Sequence, residues 1–143
     1  VQTFLPFPDF VASARSLDRL RLGKQRVETL QILNALDKRN NEGVEKVGWI
    51  NHPATKMWDG YEHYLAEYGD VICCEWIDRG YNDSCRDKIK VIKNRFCSSA
   101  EPWWLGDPKL HDSHKAMLFK KDPEFYVSFA DQSSIQDYWW PVQ

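Results

Sequence analysis

The sequence predicts an all-α fold, a compact single-domain bundle of helices with long, aromatic-rich loops. Three observations carry this reading. Apolar residues recur at helical spacing, capping residues and Gly or Pro mark where the periodic runs begin and end, and no stretch alternates apolar with polar residues as a half-buried strand does. A chain of 143 residues is one domain's worth, enough to bury a core without disulfides or metal and too short for a second, cofactor-binding domain.

The elements follow in order. Val1 to Pro8 is an extended, Pro-marked arm, after which Asp9 caps a short helix through Ser16 with Phe10, Ala14 and Leu17 facing inward. A longer helix runs from Asp18 to Leu36. At about 100° per residue, Arg21, Lys24, Gln25 and Glu28 share a polar face, and Leu20, Leu22, Val27, Leu30 and Leu33 occupy most of the opposite side. Residues 37–48 (DKRNNEGVEKVG) read as a loop. Asn51 caps a helix with Pro53 in its first turn, reaching Tyr68 before Gly69 ends it, and Asp70 starts another that stops at Gly80. A basic helix spans Ser84 to Phe96. Residues 98–108 form a loop holding Trp103 and Trp104, and Asp107 caps a helix to Lys120. Phe125, Tyr126 and Phe129 make an aromatic turn, and the tail carries Tyr138, Trp139 and Trp140.

Composition narrows the function. A hydrophobic share of 43% and a charged share of 28% are those of a soluble protein, and no apolar run approaches the roughly 20 residues that cross a bilayer. Pro6, Pro8 and Asp9 interrupt the only apolar stretch near the start, so no secretory signal is read and an intracellular setting is expected. Four cysteines without a CxxC pair point to free thiols, with one of the neighbours Cys73 and Cys74 facing the core. The net charge of −2 speaks against indiscriminate coating of nucleic acid. Its distribution is bipolar, however. Arg15, Arg19, Arg21, Lys24 and Arg26 face a single acid, Asp18, and Arg86, Lys88, Lys90, Lys93 and Arg95 face only Asp87. These are either solvated helix faces or a surface for a phosphate backbone.

Seven tryptophans exceed what a core of this size needs. In loops, Trp103 and Trp104 can stack on a base or pin the loops to the bundle. His111 and His114 share a helix face at a spacing that could hold zinc, but no third ligand accompanies them and HExxH is absent. They read instead as contacts to phosphate or sugar, or as members of a polar network, and no metal is expected. His52, before Pro53, either addresses a ligand or caps the turn. No phosphate-binding Gly loop, GxSxG elbow or kinase signature occurs. Glu28 remains, a lone carboxylate among basic groups. Exposed, it is a weak ion-pair partner of Lys24; partly buried, it is a fixed negative charge suited to a cation developing on a sugar.

QTFLPFPDF near the start, LDRLRLGKQRVETLQIL (Leu17 to Leu33), WINHPATKMWDGYE (Trp49 to Glu62), EWIDRGY (Glu75 to Tyr81) and PWWLGDPKLHDSHKAMLFKKDPEFY (Pro102 to Tyr126) resemble the small bacterial and viral proteins grouped with pyrimidine-dimer DNA glycosylases of endonuclease V type. The resemblance implies a mainly helical domain, normally a monomer, that acts without cofactor on double-stranded DNA carrying a lesion or modified base, in the nucleoid or on behalf of a virus. It implies a glycosylase with AP lyase activity, in which the α-amine of Val1 attacks C1′ of the damaged nucleotide and Glu28 stabilises the iminium and assists elimination. An α-amine suits this role because its ordinary pKa lies near neutrality, far below that of lysine. Lys24, one turn before Glu28, departs from the family's pattern at that position and is a second amine that could itself form the Schiff base. Arg21 occupies the family's DNA-contacting basic position, and Arg19, Lys24, Gln25, Arg26, His52, Arg86, Lys90, Lys93, Trp103, Trp104, His111 and His114 are the further expected contacts to DNA. Two other functions fit the same residues: a non-catalytic nucleic-acid binding module, and an enzyme of free nucleosides or nucleotides.

Overall fold

The structure, a computed structural model, describes residues 1–97 and 100–142; the first two positions of the expected 98–108 loop lie outside the described residues. Among the described residues there are six α-helices, one 3-10 helix and no strand. The helices are α1 (Phe10–Ser16), α2 (Arg19–Asn40), α3 (Pro53–Lys56), α4 (Glu62–Asp78), α5 (Arg86–Lys93) and α6 (Pro108–Lys121), and the 3-10 helix spans Val127–Gln132. Three helices begin where an aspartate caps them: Asp9 accepts from the Val11 amide, Asp18 from Arg21 and Asp107 from Lys109. None of the helices is long and apolar enough to cross a membrane among the described residues.

Helix α2 is the central element and packs most extensively on α4. It continues four residues beyond the expected Leu36, to Asn40. Asp37 explains the extension: its buried carboxylate accepts from the Arg95 guanidinium at 2.6 Å and from Asn41 Nδ2 at 2.8 Å, so the polar turn is tied down rather than released as loop. The buried face of α2 also differs from the expected one. Leu22, Ile32, Leu33 and Leu36 are buried together with Gln25 and Thr29, whereas Leu20 and Val27 are 62% and 44% exposed.

The region 51–80 corrects the expected pair of helices. His52, not Asn51, caps the short α3 by accepting from the Ala54 amide. The chain then turns through Gly60, whose φ of 90° only glycine adopts freely, and α4 runs unbroken through Gly69 to Asp78. Gly69 is a packing residue. A Cβ there would lie 2.7 Å from Thr29 Cγ2 and 2.9 Å from Ile89 Cδ1, so its bare backbone lets α2, α4 and α5 meet. Gly23 serves α2 in the same way, with the Trp76 ring 3.0 Å from where its Cβ would be.

Candidate active site

Residues 1–8 form neither helix nor strand, so their buried backbone groups need partners from side chains. They have them. The Phe4 amide donates to Gln25 Oε1 at 2.9 Å, and the Tyr68 hydroxyl lies between the Phe4 carbonyl (2.8 Å) and Gln25 Oε1 (2.9 Å). The Leu5 amide donates to His114 Nδ1 at 2.8 Å, and the Leu5 carbonyl accepts from His111 Nδ1 at 2.7 Å. Ser13 Oγ accepts from the Phe7 amide and donates to the Phe7 carbonyl, while Trp58 Nε1 donates to Thr3 Oγ1.

These bonds assign the two imidazoles opposite tautomers. His111 carries its proton on Nδ1 and accepts from the Gly106 amide at Nε2. His114 accepts at Nδ1 and carries its proton on Nε2, a buried atom with no hydrogen-bond partner among the described residues. Burial pushes the His114 imidazole down to about 3 and lowers that of His111 too, so both rings stay neutral near pH 7. Two of the three histidines expected to touch DNA, His111 and His114, are therefore sealed inside. Their ligand is the peptide of Leu5.

The arm leads to a cavity of about 480 Å³ lined by Val1, Arg21, Lys24, Gln25, Glu28 and His52. The Val1 nitrogen lies 3.9 Å from Glu28 Oε1, with the Val1 side chain buried and the Glu28 side chain 25% exposed. Gln25 connects arm and carboxylate, since its Nε2 donates to Glu28 Oε2 at 2.8 Å while its oxygen holds the Phe4 amide. Burial lifts the Glu28 carboxyl above the ordinary range, against the opposing pull of the positive Val1 nitrogen, Lys24, the Gln25 hydrogen bond and Lys121. His52 both caps α3 and lines the cavity; burial, then the Val1 charge, lowers its pKa.

Lys121, Tyr138 and Trp140 also line it. None was among the expected site residues, although the aromatic character of the tail was visible in the sequence. With Arg21, Lys24 and Lys121 around a single carboxylate, the opening presents positive potential to a phosphate backbone. A second groove of about 570 Å³ lies beside it, lined by Arg19, Leu20, Gly23, Val27, Gln31 and Trp76, and Lys24 and Glu28 border both openings.

The remaining expected contacts are placed elsewhere. Arg19 stands over the Tyr81 ring at 5.9 Å. Arg26 pairs with Asp83 at 2.6 Å and covers the Trp76 ring at 4.5 Å, a packing role. Arg86 pairs with Asp70, and Lys90 and Lys93 border a smaller hollow of about 200 Å³ with Glu67 and Asp70, so α5 brings none of the three to the cavity. Trp103 is 65% exposed and edge-on to Trp139. Trp104 is buried, its Nε1 donating to the Met57 carbonyl and its ring edge-on to Trp58 at 4.8 Å, which removes it from any surface contact. Among the described residues, no group of three or more His, Cys, Asp or Glu side chains converges on a point where a metal could sit.

The family model for pyrimidine dimer DNA glycosylase matches residues 1–89 of this chain. No curated protein and no solved structure matches it significantly. The matched segment holds Val1, Arg21, Lys24, Gln25, Glu28 and His52, whereas Lys121, Tyr138 and Trp140 lie beyond it. The match covers more than half of the chain, and the chain belongs to the pyrimidine dimer DNA glycosylase family.

Proposed function

We propose that this protein is a DNA glycosylase with associated AP lyase activity on damaged or modified pyrimidines, in which the Val1 α-amine is the nucleophile and Glu28 its carboxylate partner. The observation that carries the reading is the 3.9 Å approach of the Val1 nitrogen to Glu28 Oε1 inside a cavity bordered by cationic side chains. A base within the stack is out of reach of such a cavity, so the site has to flip a nucleotide or bend the duplex, at least cost where the lesion already weakens pairing.

The chemistry proceeds in balanced steps. The lone pair of the neutral amine bonds to C1′ as the C1′–N bond of the base breaks, and the departing base takes up a proton. Loss of an amine proton and opening of the sugar ring, with the proton finishing on O4′, give a C1′ iminium. The Glu28 carboxylate stabilises that cation. Burial makes Glu28 a stronger base than an exposed carboxylate, fitting it to take the C2′ proton. The C2′–H electrons then form the C2′–C3′ double bond as the C3′–O bond breaks and the phosphate leaves. Water hydrolyses the imine and restores the amine. The setting of this scheme is DNA repair inside the cell.

Borohydride reduction with a duplex bearing a pyrimidine dimer tests the reading. The expected result is a covalent adduct whose peptide maps to Val1, and the same peptide's mass shows that Val1 carries the free amine. An adduct on Lys24 would reassign the nucleophile. Damaged DNA bound without any adduct would reject the chemistry and leave a binding module.

A further inference from the structure

His52 has two ring nitrogens, and the fold uses only one of them. Nδ1 accepts from the Ala54 amide at 3.0 Å, and the residue's own amide donates to the Trp49 carbonyl at 3.1 Å. The ring is also held from its sides, edge-on to Trp49 at 6.0 Å and to Trp140 at 5.9 Å. A neutral imidazole whose Nδ1 accepts from a backbone amide carries its proton on Nε2. Nε2 makes no hydrogen bond among the described residues and is not a buried atom, so its N–H is open to a ligand. The ring lines the cavity that holds Val1 and Glu28.

Charge decides what kind of ligand this is. A proton on Nδ1 would set two donors against each other at the Ala54 amide, and burial and then the Val1 charge lower the His52 pKa, so the ring stays neutral near pH 7. Arg21, Lys24 and Lys121 already supply the cavity with full positive charge. A neutral, oriented N–H adds little to the holding of a phosphate. It suits an oxygen that gains negative charge only as a reaction proceeds. One such charge arises in the proposed chemistry: Glu28 faces the cation at C1′, whereas neither Val1 nor Glu28 meets the negative charge that passes to the base as the C1′–N bond breaks.

We propose that His52 is a further catalytic residue, whose Nε2–H donates a hydrogen bond to the carbonyl oxygen next to the glycosidic nitrogen of the departing pyrimidine. This rests on the reading that the glycosidic bond is broken at this cavity. The oxygen lies beside C1′ on the minor-groove edge of the base, so it accompanies C1′ into reach however the duplex is deformed. As the C1′–N bond breaks, its electron pair goes to the base and the charge is shared with this oxygen. His52 keeps its own proton throughout, so the proton balance of the reaction is unaltered.

Single-turnover rates on two duplexes test the assignment, one carrying a pyrimidine dimer and the other a preformed abasic site, which has no base to lose. His52→Asn keeps an acceptor for the Ala54 amide and loses the ring; His52→Phe keeps a ring between the two tryptophans and loses the cap. Both lose the Nε2–H. Both are expected to break the glycosidic bond of the dimer duplex about 10²-fold more slowly than the parent, while cleaving the abasic duplex within about threefold of its rate. Equal slowing on both duplexes overturns the inference, because it would place His52 on the sugar or a phosphate. A parent-like rate on the dimer duplex for either variant overturns it too, tracing the effect to the ring or the cap alone. If thermal unfolding shows that His52→Phe does not fold, His52→Asn decides through the same two rates. If the parent breaks the glycosidic bond without a reducible adduct and the variants slow only that step, the Val1 chemistry fails and the role of His52 stands. If the parent leaves the dimer duplex intact, both fall.

Discussion

Helices α2 and α6 both address the N-terminal arm, and each does so with two polar residues one turn apart: Gln25 and Glu28 on α2, His111 and His114 on α6. Their fates differ. The histidines are buried, neutral and bonded to the Leu5 peptide, whereas Glu28 is partly exposed beside the Val1 nitrogen at the edge of a cavity. Residue type and spacing do not separate the two pairs. The path of the arm does, because a titratable side chain crossed by a peptide becomes a structural bond, and one left beside an opening stays available to a ligand.

The contrast can be broken at several points. The largest effect is expected at the open pair: Glu28→Gln lowers strand cleavage of a dimer-bearing duplex about 10²- to 10⁴-fold while leaving binding in place, as initial rates and binding isotherms would show. Undiminished cleavage would locate the chemistry elsewhere. At the sealed pair, His114→Ala leaves the Leu5 amide without an acceptor and opens a void, at a cost of about 3 kcal/mol in urea denaturation. His114→Asn keeps an acceptor and regains part of that loss; if Asn and Ala prove equally damaging, the hydrogen bond is not what holds the arm.

The pH dependence of stability sharpens the same point. The folded pKa of His114, about 3, lies below its ordinary 6.5. Between those values the unfolded chain binds the extra proton, so this group's stabilisation is complete above pH 6.5 and is lost as pH falls toward 3, and His111 shifts in the same direction. His114→Asn removes one such titration and flattens the slope by at most about 1.4 kcal/mol per pH unit. An unchanged slope would mean that His114 is not buried in its neutral form.

The smallest effect separates two basic regions. Lys24→Ala with Lys121→Ala reduces the salt dependence of DNA affinity by about 0.9 in log–log slope for each phosphate no longer neutralised. Lys90→Ala with Lys93→Ala leaves the slope nearly unchanged, since these lysines do not reach the cavity. The reverse result would place the DNA across α5.

Features decided within a few residues were legible in the sequence. Asp9, Asp18 and Asp107 each satisfy an amide in their own first turn, so three helix starts could be read directly. Helical spacing likewise put Arg21, Lys24, Gln25 and Glu28 together. Features decided by remote partners were not legible. Gly69 resembles a helix terminator until Thr29 and Ile89 are seen packed against it. His111 and His114 look like surface ligands until the Leu5 peptide lies across them, and Trp104 looks exposed until Met57 and Trp58 enclose it. Tyr138 and Trp140 showed aromatic character in the tail, but nothing local said that the tail returns to the cavity.

Gln25 has a directional consequence. Its oxygen receives the arm and its nitrogen faces Glu28, so the two ends of one amide fix the polarity of the junction. A glutamate of the same shape would set two acceptors against each other, and either a proton would have to be shared between them or the arm would have to retreat. The gauge between the two proposed reacting groups is therefore one uncharged side chain, whose replacement by its acid would change both the spacing and the charge of the site in a single step.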